Sequence, residues 1–409
     1  MSFRKISTRI ENMYKEIVDF TSDLIRIPTV NPPGENYPEI CELLAKKMDE
    51  AGLEVEMVKV PKQKLKELNL ELPRINVIGT FKGSLSKPVF HLSGHYDVVP
   101  AAEGWTVEPF NPRFVDGRLY GRGSSDMKGA LAAMVIAVKA IKDSGVDLKG
   151  SLVVSVTPDE ETGGLTGVGY LVENNLLRGD GAILGEPSGI EKICVAHKGT
   201  LWMKIATLGK AAHASIPHLG VNSVEKAAKI IVELQKLKEK FKHRITNVPM
   251  EEISKTPTIN IGGVIQGGIK INIVPDRCSF TLDRRFIPEE TLEEVEKEIL
   301  TTIESLKKED PELKVETEIL LRAEAAYTSP NEKVCLFLKE SIKEVLGKLP
   351  TVTGLTGVTD MRFLNKVMPT VIYGPGTMEK AHTPDEYVVV DHLVASAKVY
   401  ALTALKFLT

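Results

Sequence analysis

The sequence predicts an α/β fold, a mixed sheet flanked by helices, interrupted by a second, α+β unit. Three observations carry this. Over the first half of the chain, apolar strand-like runs alternate with helical periodicities, the pattern of a mixed or parallel sheet with helices on both faces. From about Gly199 the pattern changes to strand, helix, strand, strand, helix, strand, the split-βαβ order of a ferredoxin-like unit. A length of 409 residues also exceeds one ordinary core and favours two domains. The expected boundaries are 1–198 with 323–409 for one domain and 199–322 for the insertion.

In chain order, helical periodicity covers 10–26 and 37–51, on either side of the proline-rich loop Ile27-Pro28-Thr29-Val30-Asn31-Pro32-Pro33-Gly34. Strands are expected at 53–60, 75–81 and from Val89, and the stretch 130–141 reads as a buried helix. Further strands are read at 152–157 and from Ala182. In the insertion, strands fall at 201–208, 258–264, 278–286 and 313–321, with helices at 223–241 and 292–307. A helix over 331–346, a short core strand over 370–373 and an apolar terminal helix complete the pattern.

A hydrophobic content of 43% with 26% charged residues is that of a soluble globular chain. The net charge of -3 gives no case for nucleic acid or an anionic membrane as partner. Cys41, Cys194, Cys278 and Cys335 are scattered without a Cys-x-x-Cys, which reads as reduced thiols. The first residues lack the apolar core of a signal peptide, and the longest apolar run, 130–138, is too short to span a bilayer. A cytoplasmic location is expected.

The chemistry concentrates where apolar strands end. His95 and Asp97 follow the Val89 run, and residues i and i+2 of an extended segment share a face. That suits a metal-binding imidazole held by a carboxylate, though such a pair is more often an ordinary structural hydrogen bond. Asp126 sits before the buried helix; read locally it is a helix N-cap, while read functionally it is a carboxylate able to bridge two cations. Glu160 and Glu161 follow the 152–157 strand, where a solvated loop is the competing reading, and Glu186 ends the strand that begins at Ala182. His382 lies in a late loop. Imidazole with carboxylate suits zinc, and also cobalt or manganese. His91 shares the face of His95 but lies deeper, so packing is expected of it. His197, His218, His243 and His392 have no evident partner, and no glycine pair precedes a phosphate-loop Lys-Ser/Thr.

Five motifs in order, Gly94-His95-Tyr96-Asp97-Val98-Val99-Pro100, Gly121-Arg122-Gly123-Ser124-Ser125-Asp126-Met127-Lys128-Gly129, Asp159-Glu160-Glu161-Thr162-Gly163-Gly164, Gly185-Glu186-Pro187 and Ala381-His382-Thr383-Pro384-Asp385-Glu386, carry a resemblance over nearly the whole chain. Together they resemble the two-zinc metallopeptidase and amidohydrolase family of acetylornithine deacetylase, succinyl-diaminopimelate desuccinylase, aminoacylase and glutamate carboxypeptidase. The resemblance implies a zinc-peptidase-like catalytic domain with an inserted lid and dimerisation domain. It implies two divalent metal ions, one on His95 and Glu186, the other on Glu161 and His382, with Asp126 bridging and Asp97 orienting His95. It implies a cis peptide at Asp126-Met127 and Glu160 as general base. His213, in Gly209-Lys210-Ala211-Ala212-His213-Ala214-Ser215, would steady the oxyanion, commonly in the partner's site, so a homodimer is implied. Asn272 and Arg285 (chosen over Arg284) resemble substrate contacts, and Arg362 resembles a substrate-carboxylate site, for which a planar guanidinium fork is suited. The expected reaction is hydrolysis of the amide of a small, carboxylate-bearing N-acyl amino acid, with a dipeptidase or carboxypeptidase as alternative. A two-metal phosphoesterase would leave Glu160 and His213 without a role, and a non-catalytic binding protein would not need the full ligand set and base.

Overall fold

A computed structural model describes residues 2–409. The chain divides into two compact units, the first running to Val195 and resuming over Thr328–Thr353 and Thr359–Thr409, the second made of Ala196–Tyr327 and Gly354–Val358. The short return at 354–358 is not announced by any shift in composition.

The first unit is built on a mixed sheet. Its strands lie in the order Glu54–Lys59, Ile75–Phe81, Ser151–Thr157, Val89–His95, Gly181–Leu184, Thr370–Ile372 and Lys192–His197. The pairings at the two flanks are antiparallel, and the four central strands, from Ser151–Thr157 to Thr370–Ile372, run parallel. Central parallel strands must bury both faces, which explains their near-continuous apolar runs. Helix Gly129–Ser144 is buried along almost its whole length and ends at Gly145, whose φ of 68° is the left-handed turn that glycine takes without steric cost. The terminal helix Val390–Leu408 is likewise mostly buried. The register sets His95 beside Thr157 and Ser93 beside Leu184, so these strands end along one edge. Ligand sites of such sheets lie beyond that carboxyl edge.

The second unit has a four-stranded antiparallel sheet in the order Thr258–Gly267, Arg277–Phe286, Gly199–Leu208, Lys314–Ala323. Two helical segments pack on it around Ile230, Leu234, Val295, Ile299 and Ile303. That is the split-βαβ order read from the pattern. Asn222 caps Ser223–Gln235 through the N–H groups of Val224 and Glu225, and Thr291 with Glu294 forms a capping box on Leu292–Glu309.

Several elements differ from expectation. The first expected helix is two, Ser2–Asn12 and Tyr14–Arg26, because Met13 leaves helical geometry with ψ 11°. The 223–241 helix also breaks, at Lys236. The three-residue strands Arg113–Val115 and Arg118–Tyr120 are not foreshadowed by the apolar pattern, and the strand Lys192–His197, built on the apolar run Ile193-Cys194-Val195-Ala196, adds to the expected set. No disulfide joins the four cysteines, all of them buried. Among the described residues, no helix is long and apolar enough to cross a membrane.

Leu92 is fully buried in the central parallel strand. Leu92→Ala is expected to cost about 2–5 kcal/mol of stability, read from the urea midpoint; a cost below about 1 kcal/mol would contradict this packing.

Candidate metal centre and active site

Five segments meet beyond the carboxyl edge of the parallel strands, the fifth being the loop that carries His382. His95 is the last residue of its strand, and Glu186 stands two residues past Leu184. Glu160 and Glu161 open a single turn after Ser151–Thr157, entered through Asp159 at φ 65° and left through Gly163 and Gly164 at φ 105° and 66°. The alternation of extended backbone would send the two glutamates to opposite sides; this turn gives each its own direction. Asp126 sits just before helix Gly129–Ser144, joined to Met127 by a cis peptide. The N-cap reading of Asp126 fails, because its carboxylate makes no cap hydrogen bond and points to the two histidines.

His95 Nε2 lies 3.2 Å from Asp126 Oδ1 and 3.8 Å from Glu186 Oε2. His382 Nε2 lies 3.3 Å from Asp126 Oδ2 and 3.0 Å from Glu161 Oε1. Asp126 thus offers one oxygen to each imidazole. Two groups result, His95 with Asp126 and Glu186, and Asp126 with Glu161 and His382, each with its donor atoms within 4.8 Å of one another. Glu160 belongs to neither. Asp97 orients His95 differently from expectation. His95 Nδ1 is closer to the Asp97 carbonyl, at 3.0 Å, than to its carboxylate, at 3.5 Å. The Asp97 carboxylate instead accepts the backbone N–H groups of Glu160 and Glu161, one on each oxygen, both at 3.3 Å. It therefore positions the imidazole by its main chain and the two glutamates by its side chain.

The electrostatics favour a cation. Burial, then the charge of Glu186, pushes the Glu160 carboxyl well above the usual range. Burial likewise lifts Glu186, and lifts Glu161 to about 7. His95 is held well above its ordinary value, because hydrogen bonds to Asp126, Asp97 and Glu186 outweigh its burial. Hydrogen bonds to the carboxylates of Asp126 and Glu161 raise His382 to about 10. Glu186 Oε1 is buried with no hydrogen-bond partner among the described residues. An orphaned carboxylate oxygen inside a set of imidazole and carboxylate donors fits divalent metal, and zinc, cobalt and manganese all accept such ligands.

In the second unit, His213 is exposed and pairs with Ile273 in an isolated bridge, and the Asn272 carbonyl accepts the Ala214 N–H at 3.0 Å. His213 Nδ1 accepts the Ser215 backbone N–H at 3.2 Å, so in the neutral ring the proton sits on Nε2, a donor. Of the paired arginines, Arg284 is fully buried on Glu290 at 2.7 Å and over the Phe241 ring. Arg285 keeps 27% of its side chain exposed, paired with Asp283. Back in the first unit, Arg362 is buried and donates through Nη2 to the Gly163 carbonyl at 2.5 Å, bracing the glutamate turn. His91 packs in the core as expected, bonded to the Arg178 carbonyl and pushed down to about 4 by burial.

Supporting residues carry almost no signal in the sequence. Asp159 is buried and takes hydrogen bonds from Arg74 Nε at 2.5 Å, Tyr37 Oη at 2.9 Å, Asn31 Nδ2 at 3.1 Å and Thr166 Oγ1. Asn31 Nδ2 also reaches Asp97 Oδ2 at 2.9 Å, tying the two aspartates together. Glu386 accepts the N–H groups of Ser125 and Asp126 at 2.9 and 3.0 Å and pairs with buried Arg122 at 2.6 Å. The one local signal is Arg74 itself, a charge at the head of the apolar Ile75–Phe81 strand. Arg74→Met strands the buried Asp159 charge and is expected to cost about 3–5 kcal/mol of stability. Asp159→Asn keeps the shape and is expected to lower turnover about 10–100-fold, measured as kcat at matched metal content; wild-type values for both would refute the anchor.

Comparison with known proteins agrees with this architecture. The family model described as peptidase family M20/M25/M40 matches residues 91–406. The chain is 32% identical over 377 residues to the acetylornithine deacetylase of Proteus mirabilis, covering 91% of each. It is 30% identical to an uncharacterized metallohydrolase of Methanocaldococcus jannaschii, covering 95% of this chain and 98% of the other. Among solved structures, an M20 family metallo-carboxypeptidase of Sulfolobus solfataricus superposes with a TM-score of 0.78 at 22% identity, covering 96% of this chain and 99% of that one. A Bacillus subtilis dinuclear metal binding peptidase from the M20 family superposes at 0.70 with 17% identity, covering 97% and 98%. The strand ends, the shared aspartate and these matches lead to one conclusion: the chain belongs to the M20/M25/M40 family of peptidases.

Proposed function

We propose that the chain is a two-metal amidohydrolase that cleaves the amide of small N-acyl amino acids, releasing an acid and a free amine. One observation carries the reading: Asp126 is shared between two donor groups, and Glu160, which feels the charges of Glu186 and His95 in one and of Glu161 in the other, belongs to neither. His95 and Glu186 would hold one cation, Glu161 and His382 the other, and Asp126 both. Bound there, the cations supply Lewis acidity, which acidifies water and polarises an amide carbonyl.

The rest falls to the chain. Glu160 accepts the proton of the attacking water on its carboxylate and hands it to the departing amine nitrogen. A carboxylate spent on a metal would shuttle protons poorly, so its absence from both donor groups supports this role. His213, with Nε2–H as donor, would steady the oxyanion. Arg285 and Asn272 would contact substrate from the lid, and Arg362, which also braces the glutamate turn through Gly163, would grip a substrate carboxylate. The second unit would serve as lid and as the contact of a homodimer. The deacetylase relatives support an N-acyl substrate of the acetylornithine type over a peptide.

Glu160→Ala is expected to keep near-wild-type metal by elemental analysis while turnover falls about 10²–10⁴-fold. Undiminished turnover would remove Glu160 as the base. Asp126→Ala takes an oxygen from both donor groups and is expected to lower metal bound per chain as well as activity. A panel of N-acyl amino acids against dipeptides tests the substrate class, and a strong preference for dipeptides would overturn it.

A further inference from the structure

The two imidazoles of the metal centre are held in different ways. His95 ends a strand of the central sheet, and its side chain is 1% exposed. His382 stands in an irregular loop, and its side chain is 50% exposed. The backbone of His382 has φ 61°, and that of Asp385, three residues on, has φ 52°. Residues other than glycine keep this left-handed conformation where their surroundings hold them in it. The aim of His382 therefore depends on what fastens its loop.

The loop does not fasten itself to the fold before Asp385. Apart from His382, the hydrogen bonds of residues 378–384 among the described residues close within the loop: Lys380 and Ala381 donate their N–H groups to the Thr377 carbonyl, and the Thr383 hydroxyl donates to the Lys380 carbonyl. Asp385 reaches out. Its Oδ1 accepts the Thr106 backbone N–H and its Oδ2 accepts the Thr106 hydroxyl, both at 2.8 Å. An ionised acceptor makes each of these bonds stronger than a neutral one would. Thr106 is braced in turn by its neighbour. The Trp105 ring lies 5.1 Å from the Arg122 guanidinium, which pairs with Glu386. Two adjacent residues of one loop thus grip two adjacent residues of the other, Thr106 directly at Asp385 and Trp105 through Arg122 at Glu386. Glu386 serves the bridging aspartate, whose N–H it accepts. Asp385 lies on the His382 side and is in neither donor group.

We propose that Asp385, clasped to Thr106, is a positioning residue that holds His382 over its cation, so that a contact outside the donor set governs the affinity of this cation and not of the one at His95. This rests on the two-metal reading above.

The test challenges the zinc-loaded full-length chain with a chelating indicator, which reads the affinity of each cation. Wild type is expected to release two zinc ions in separate steps. Asp385→Ala is expected to weaken one of them about 10-fold or more and to change the other by less than about twofold. The weakened step is expected to be the one that His382→Ala abolishes. Thr106→Val keeps the backbone N–H and is expected to weaken the same step to a smaller degree. Added to Asp385→Ala it is expected to weaken nothing further, because the two act through one contact. Two steps unchanged in Asp385→Ala, equal loosening of both cations, or effects that multiply in the double variant would overturn the assignment of Asp385 alone. Release of a single zinc by wild type would overturn the two-metal reading, and this inference with it.

Discussion

Concentrated negative charge at the mouth of a buried sheet is the constraint around which the first unit is built. Asp126, Glu161 and Glu186 converge on two imidazoles, and the buried Glu160 feels the charges of Glu186 and Glu161 beside them. Such a cluster is costly, and burial first, then mutual repulsion, raises the proton affinity of three of these acids. It persists because the surrounding fold over-determines it. Parallel strands fix where His95, Glu186 and the glutamate turn emerge, and the buried helix behind Asp126 fixes the fourth approach.

A layer of buried ionic groups then aims these side chains. Glu386 with Arg122 grips the backbone at Ser125 and Asp126. Asp159 with Arg74, Tyr37 and Asn31 grips the turn from beneath, and Asp97 holds its two N–H groups from the side. Each carboxylate in this layer is met by several donors, the condition under which a buried charge is tolerable. The layer contributes geometry more than stability. A proton shuttle that must reach water and amine without binding metal depends on placement at the scale of a hydrogen bond.

The metal donors are legible in the sequence because each stands at the end of a recognisable apolar strand or in a motif with unusual neighbours. The split-βαβ order of the second unit is legible for a similar reason: its strands and helices are long enough to show their period. The supporting layer is hidden by distance along the chain. Arg122 and Glu386 are 264 residues apart, and Arg74 and Asp159 are 85 apart. No local pattern links such pairs. Three-residue strands such as Arg113–Val115 are too short to alternate visibly, and the break at Met13 leaves no mark in the apolar spacing around it. The double duty of Asp97 is out of reach as well, since it depends on a turn 63 residues later.

One aspartate joining two cation sites is the central claim. Anomalous diffraction from a crystal of the zinc-loaded protein, recorded on either side of the zinc edge, tests it most directly. Two peaks are predicted, each beside one of His95 and His382, with an oxygen of Asp126 on both. A single peak, or two peaks that do not share Asp126, would contradict it.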